Sequence, residues 1–204
     1  MQITPAQEQI IFLTCHARAM HQWAHIENAL SQVACAGVPG VGGEALAMGL
    51  HSIESFRSKL AFVDVALKQR ISDIKLLELW EEIRARAEKA SKRRNALAHR
   101  SMVLYTSAKP GKQYALVDWK QNHAPPTVDG SAPSGAMTIR ELVECRHLFT
   151  PISRDLDNFA AKIEGRTGPW SPDAPLQTPT LEVVLQREMN QLRGIDPWCR
   201  VEQK

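Results

Sequence analysis

The sequence contains few cysteines, few aromatic residues and none of the common phosphate-binding loops. Its four cysteines form no Cys-x-x-Cys pair and match no histidine spacing typical of zinc sites, which favours free thiols in a reducing compartment. Aromatic residues make up 6% of the chain and are not regularly placed, so base-specific recognition of RNA by stacking is not expected. The motifs GxxxxGK[ST], GxGxxG and GxSxG are missing, which argues against P-loop, dinucleotide-binding and α/β-hydrolase enzymes. No cofactor is predicted.

A membrane-spanning segment and a secretory signal are not expected either. The longest apolar stretch, residues 36–50, is interrupted by Pro39, by several glycines and by Glu44, so it is too broken to cross a bilayer. Residues 1–5 show no basic start that leads into an apolar run. These features predict a cytoplasmic protein.

Four long segments carry the hydrophobic periodicity of α-helices. The composition, with 44% apolar and 23% charged residues over 204 positions, is that of a globular protein with a substantial core. The segments are recognised by their apolar stripes and caps: about residues 5–34; a stripe from Ile53 to Leu67; a helix that starts near Ser72 as N-cap; and a helix after the capping box of Thr138 and Glu141. This pattern predicts an all-α fold, an antiparallel four-helix bundle.

Other segments interrupt or extend the predicted bundle. The glycine-rich residues 37–43 are expected to end the first helix, and Pro151 is expected to kink or divide the fourth. Two β-rich runs over about residues 102–119 predict a small β-hairpin insertion, followed by a Pro-, Gly- and Ser-rich loop at 122–136. We therefore predict a bundle domain over residues 1–165.

Residues 166–204 form the remaining part of the chain, which is predicted to be a linker and a short C-terminal helix. The linker prediction rests on clustered prolines and glycines, and the helix prediction rests on a narrow apolar stripe. Such a stripe must dock on this chain or on a partner copy.

A basic segment at the end of the third predicted helix breaks the apolar pattern. Arg94 falls eighteen residues after Leu76, which at about 100° per residue is five whole turns, so both point to the same face. A charge on an inward face costs several kcal/mol unless it is paired or lies in a wet cleft. Asn95 and His99 are four residues apart and adjoin on the helix surface.

These three residue types suit phosphodiester chemistry. An imidazole such as that of His99 transfers protons near neutral pH, and a guanidinium such as that of Arg94 holds a phosphate with two hydrogen bonds. Asn95 could orient the imidazole or bind a phosphate oxygen. The set suits RNA cleavage by the RNA's own 2′-hydroxyl without a metal, and a two-fold dimer would supply a second histidine.

A basic cluster surrounds this segment. Its members, which could attract RNA, are Lys89, Lys92, Arg93 and Arg100. A simpler interpretation is that basic residues and a histidine near a helix C-terminus are favoured by the helix dipole and form a solvated face.

The segment resembles the signature of the HEPN superfamily (higher eukaryotes and prokaryotes nucleotide-binding). The Arg-Asn-x-x-x-His pattern is present as Arg94-Asn95-Ala96-Leu97-Ala98-His99, and residues 55–60 and Trp80 upstream are similar to a bacterial branch. The resemblance covers roughly residues 5–165. It implies a helical bundle that dimerises with the motif helices facing each other.

The resemblance implies two alternative functions. Many members of the superfamily are metal-independent endoribonucleases, often toxins or defence proteins, in which the residues matching Arg94 and His99 are catalytic and the residue matching Asn95 assists. Other members have no known activity and bind RNA, a nucleotide or a protein partner. We therefore expect a dimeric ribonuclease with an antitoxin or another protein as partner, and a non-catalytic binding module is the alternative.

A second group of histidines lies on the first predicted helix. His21 and His25 are four residues apart, a spacing that can chelate a metal, and His16 lies on the same predicted helix. No HExxH glutamate lies between them and no third ligand is apparent, so a metal site is not predicted.

Overall fold

The computed structural model describes residues 5–38, 40–106, 112–118, 132, 135–166 and 183, and these are mainly helical. They contain five helices and one antiparallel two-stranded sheet. In chain order the elements are α1 (Pro5–Gly37), α2 (Val41–Ser52), α3 (Phe56–Arg70), α4 (Ile74–His99), β1 (Ser101–Thr106), β2 (Lys112–Val117) and α5 (Ile139–Ile163). A mainly helical fold with a small hairpin agrees with the sequence-based prediction. None of the helices described is long and apolar enough to span a bilayer.

Helix α2 was not predicted. The helix stop expected at residues 37–43 is confirmed but short, because α1 ends at Gly37 and a new helix begins at Val41. Gly40 between them has φ of 81°, in the left-handed region that glycine adopts without strain. A Cβ atom on Gly43 would lie 2.1 Å from the Val38 carbonyl oxygen, so this glycine permits a close backbone approach. Gly40 and Gly43 lower the helix propensity of this segment, but the tight turn between α1 and α2 requires them.

Two helix N-termini are capped by side chains near the predicted positions. Asp73, rather than the predicted Ser72, caps α4, because its Oδ1 accepts a hydrogen bond of 2.8 Å from the backbone N–H of Lys75. At α5, the Glu141 carboxylate accepts a hydrogen bond of 2.8 Å from the backbone N–H of Thr138, as the predicted capping box requires. The Thr138 hydroxyl also donates to this carboxylate.

The Glu141 carboxylate makes the start of α5 sensitive to acid. Burial raises its pKa, but the hydrogen bonds from Thr138 and the charge of Arg140 outweigh burial and hold the pKa below its ordinary value of 4.5. A carboxyl whose folded pKa is lowered contributes stability above its unfolded pKa and loses that contribution as the pH falls through the folded pKa. We expect Glu141→Gln to reduce the free energy of unfolding by about 0.5–1 kcal/mol at pH 7 and by less below pH 4. Urea unfolding at both pH values measures this, and an equal loss at both would contradict it.

The sequence predicts a kink or a division at Pro151; α5 runs through this residue as one helix, so a division is wrong. Proline removes one backbone donor, but neighbouring side chains add bonds to the same stretch of helix. The hydroxyl of Thr150 donates to the carbonyl of Arg146 at 2.9 Å, and that of Ser153 donates to the carbonyl of Thr150 at 3.0 Å.

The chain divides into two compact units, and α1, α4 and α5 each contribute residues to both. The first contains residues up to Ala19 and those from Ala96 to Cys145. Its β1 and β2 pair in the register Ser101↔Val117 to Thr106↔Lys112, which confirms the predicted hairpin. Met137 exchanges two backbone hydrogen bonds of 2.9 Å with Leu116.

The second unit contains residues from Met20 to Asn95 and, among those described, from Arg146 to Arg166. Its core joins four helices through aromatic contacts. The ring centroid of Trp23 on α1 lies 4.5 Å from that of Phe56 on α3 and 5.2 Å from that of Phe149 on α5. Trp80 on α4 stacks on Phe159 of α5 at 5.6 Å. Contacts of this kind are expected where the apolar stripes of the predicted helices pack against one another.

Parts of the prediction lie outside the described residues. The loop at 122–136 is described only at residues 132, 135 and 136, and the predicted linker and C-terminal helix only at residues 166 and 183.

Candidate functional site at the end of helix α4

The Arg-Asn-x-x-x-His motif occupies the C-terminal turns of α4, which ends at His99. The apolar stripe of α4 places Arg94 between two residues that are each 1% exposed, Ala90 and Leu97. Arg94 itself is half-buried, whereas Asn95 and His99 are exposed. The periodicity thus oriented Arg94 correctly, and the helix carries a charged side chain into a largely apolar surface.

The guanidinium of Arg94 has unused hydrogen-bonding capacity. Its Nε is shielded from solvent and has no hydrogen-bond partner. Its Nη1 donates to Oδ1 of Asn95 at 3.3 Å. Among the residues that the structure describes, no carboxylate forms an ion pair with Arg94. By contrast, the Nε of Arg154, which also lacks a hydrogen-bond partner, lies 3.5 Å from Asp155 Oδ1. Arg94 is therefore a half-buried cation that is available to an anion.

Asn95 is paired with Arg94 and not with the histidine. Its Oδ1 accepts from the Arg94 guanidinium, which positions the amide beside the cation. No hydrogen bond of His99 is found within the described part of the chain. The structure therefore brings Arg94 and Asn95 together and leaves the exposed His99 imidazole open to solvent.

The predicted basic cluster divides into two groups. Lys89, Lys92 and Arg93 are exposed on α4, and Lys92 and Arg93 lie three and four residues after Lys89, so both adjoin it on the helix surface. Arg100 is half-buried, and its Nη1 donates to the carbonyl of Gly135 at 2.5 Å. Arg100 thus contacts the backbone at Gly135, whereas the charges of the other three residues are exposed to solvent.

His16 is a residue of this region that the sequence analysis left without a role. Its Nε2 lies 3.1 Å from the carbonyl oxygen of Leu97, and a ring N–H there donates to the helix end. The last four carbonyls of a helix lack partners within the helix, so His16 satisfies one of them two residues before His99. The two residues are 81 positions apart, and no local sequence signal links them.

No candidate metal centre with three or more protein ligands occurs among the described residues. Of the described cysteines, Cys15 and Cys145 are buried and Cys35 is half-buried, and these three form no disulfide with one another.

Comparison with known proteins adds no assignment to this geometry. Searches of protein-family models, of curated proteins and of solved structures each found no match to this chain.

Proposed function

We propose that this chain is a HEPN-like, metal-independent endoribonuclease that acts as a homodimer in the cytoplasm. In this proposal α1, α3, α4 and α5 form an antiparallel four-helix bundle, and the motif at the end of α4 is the active site. The observation that carries the proposal is the half-buried Arg94 guanidinium, whose Nε is shielded from water and has no acceptor.

A buried N–H donor without an acceptor lowers the stability of the folded chain, and binding of an anionic ligand would remove this cost. Leaving a buried donor unsatisfied costs about 1–3 kcal/mol, and more for a charged group. A phosphate oxygen would satisfy the Nε of Arg94 and accept a second hydrogen bond from the same planar group. Asn95, held by Arg94 Nη1 at 3.3 Å, has an amide NH₂ that can donate to another phosphate oxygen.

His99 supplies the proton transfer in this mechanism. The imidazole takes the proton from an RNA 2′-hydroxyl, whose oxygen attacks the adjacent phosphorus. The bond from phosphorus to the 5′-oxygen breaks, and a second acid protonates the leaving oxygen. Arg94 stabilises the charge on the phosphorane oxygens. The products are a 2′,3′-cyclic phosphate and a 5′-hydroxyl.

A second copy of the chain completes the acid–base pair. One motif offers one histidine, and the reaction uses both a base and an acid, so the partner copy's motif supplies the second imidazole across a two-fold axis. The exposed Lys89, Lys92 and Arg93 attract the RNA backbone, which makes binding salt-dependent. A toxin or defence role, with an antitoxin as partner, is the biological context proposed.

The test is incubation of the purified chain with mixed RNA in excess chelator, followed by analysis of the product ends. We expect 2′,3′-cyclic phosphate and 5′-hydroxyl ends from the wild type and none from Arg94→Ala. Arg70→Ala, which removes an exposed arginine from the end of α3, is the matched control and should cleave normally.

The alternative is a HEPN-like module that binds RNA, a nucleotide or a protein partner without cleavage. RNA binding that is lost in Arg94→Ala, with no cyclic ends from the wild type, would establish that alternative. Cleavage that persists in Arg94→Ala would show that Arg94 is not part of the active site.

A further inference from the structure

Two exposed histidines on α1, outside the motif, are aligned at the spacing of a metal chelate. His21 and His25 lie one turn apart on the same face of the helix. Their Nε2 atoms are 3.1 Å apart, and the ring planes meet at 79°. Both rings are exposed, so the space in front of the two nitrogens is accessible from solvent.

The distance between the two nitrogens matches the bite of a first-row transition metal. Imidazole nitrogens bind zinc at about 2.0–2.1 Å. Two bonds of about 2.05 Å to nitrogens separated by 3.1 Å enclose an angle of about 98° at the metal. This value lies between the ideal angles of octahedral and tetrahedral coordination, so the separation of the two nitrogens fits a metal bound to both.

We infer that His21 and His25 form a two-histidine site for a divalent transition-metal ion of the Ni²⁺, Cu²⁺ or Zn²⁺ class. Imidazole is a ligand that suits these metals, and carboxylate-preferring ions such as Mg²⁺ are excluded by the all-nitrogen donor set. Each neutral imidazole presents its Nε2 lone pair and keeps its proton on Nδ1. Water fills the other coordination positions, since no cluster of three ligands occurs in the described residues.

The alternative for this pair is a simple hydrogen bond between the rings. At 3.1 Å one Nε2 would carry the proton and the other would accept it. Both arrangements use the same two Nε2 atoms. When a metal binds, the proton of the donor ring moves from Nε2 to Nδ1, and the metal then occupies the position between the two nitrogens. The metal site is independent of the proposed ribonuclease reaction, which uses other residues and no metal.

The test is calorimetric titration of the full chain with NiCl₂, prepared without a histidine tag. We expect the wild type to bind one ion per chain at this site. His21→Ala and His25→Ala should each weaken that binding by roughly 10²-fold, because the second ligand acts at a high effective concentration once the first is bound. Circular dichroism confirms that the variants remain helical, and His25→Gln provides a second polar replacement.

His51→Ala is the matched control, since His51 is an exposed histidine near the end of another helix, α2. It should bind Ni²⁺ as the wild type does, and the paramagnetic ion should broaden the imidazole NMR signals of His21 and His25 but not that of His51. Equal binding by the wild type and both alanine variants, or no binding by the wild type, would overturn the site and leave the hydrogen-bonded pair. The titration contains no RNA, so its result is separate from the outcome of the cleavage assay.

Discussion

We expect His99→Ala to slow RNA cleavage by a factor of about 10²–10⁴, because a positioned acid or base contributes a rate enhancement of that size. The fold should not change, since His99 is the last residue of α4 and its side chain is exposed. The measurement is the single-turnover rate on end-labelled RNA in chelator, at enzyme concentrations above the dissociation constant of the RNA. Under these conditions a loss of rate reports the chemical step and not weaker binding.

The matched control for this variant is His51→Ala, which removes another exposed imidazole, from α2. It should cleave at the wild-type rate. RNA affinity should also be similar in His99→Ala and the wild type, because the charges of Lys89, Lys92 and Arg93 remain. Cleavage by His99→Ala at the wild-type rate would show that another group transfers the proton, and an equal loss in both variants would point to contamination or instability.

Helices whose apolar stripe faces a core could be predicted from sequence, because periodicity reports burial directly. The stripe of α3 illustrates this: Phe56, Leu60, Val63 and Leu67 are all buried, as the spacing of three and four residues indicates. Helix α2 escaped prediction because Gly42, Gly43 and Gly49 dilute its pattern. At Gly43 the missing side chain serves a close contact between backbones, and such a contact is invisible in the sequence of one segment.

For the candidate site, too, the sequence predicted which way a side chain faces but not the contacts that it makes. The direction of Arg94 followed from helical geometry, because all residues between Leu76 and Arg94 belong to one helix. The hydrogen bond from Arg94 to Asn95, the unpartnered Nε and the contact between His16 and Leu97 depend on rotamers and on tertiary packing. The spacing of His21 and His25 was visible in the sequence, but only the distance of 3.1 Å between nitrogens distinguishes a convergent pair from two solvated rings.

Trp80→Ala should have the largest effect on stability, with a loss of about 3–5 kcal/mol in the free energy of unfolding. Trp80 is 0% exposed on α4, and its ring stacks on Phe159 of α5 with centroids 5.6 Å apart. Its Nε1 also donates to Asp64 Oδ1 on α3 at 2.9 Å. Truncation removes the apolar contacts, leaves a cavity and breaks the hydrogen bond that joins a third helix. Urea unfolding followed by circular dichroism at 222 nm measures the loss.

The cavity and the hydrogen bond contribute to this loss separately, and a second variant divides them. Trp80→Phe keeps most of the ring stack on Phe159 but removes the donor to Asp64, whose other oxygen still accepts from Lys68 at 3.0 Å. We expect this variant to lose roughly 1–3 kcal/mol, less than Trp80→Ala. Ile74→Ala, on the same helix at a side chain that is 70% exposed, should change the free energy of unfolding by no more than about 0.5 kcal/mol. If Trp80→Ala cost no more than Ile74→Ala, the stacked contact between α4 and α5 would not support the core of the second unit.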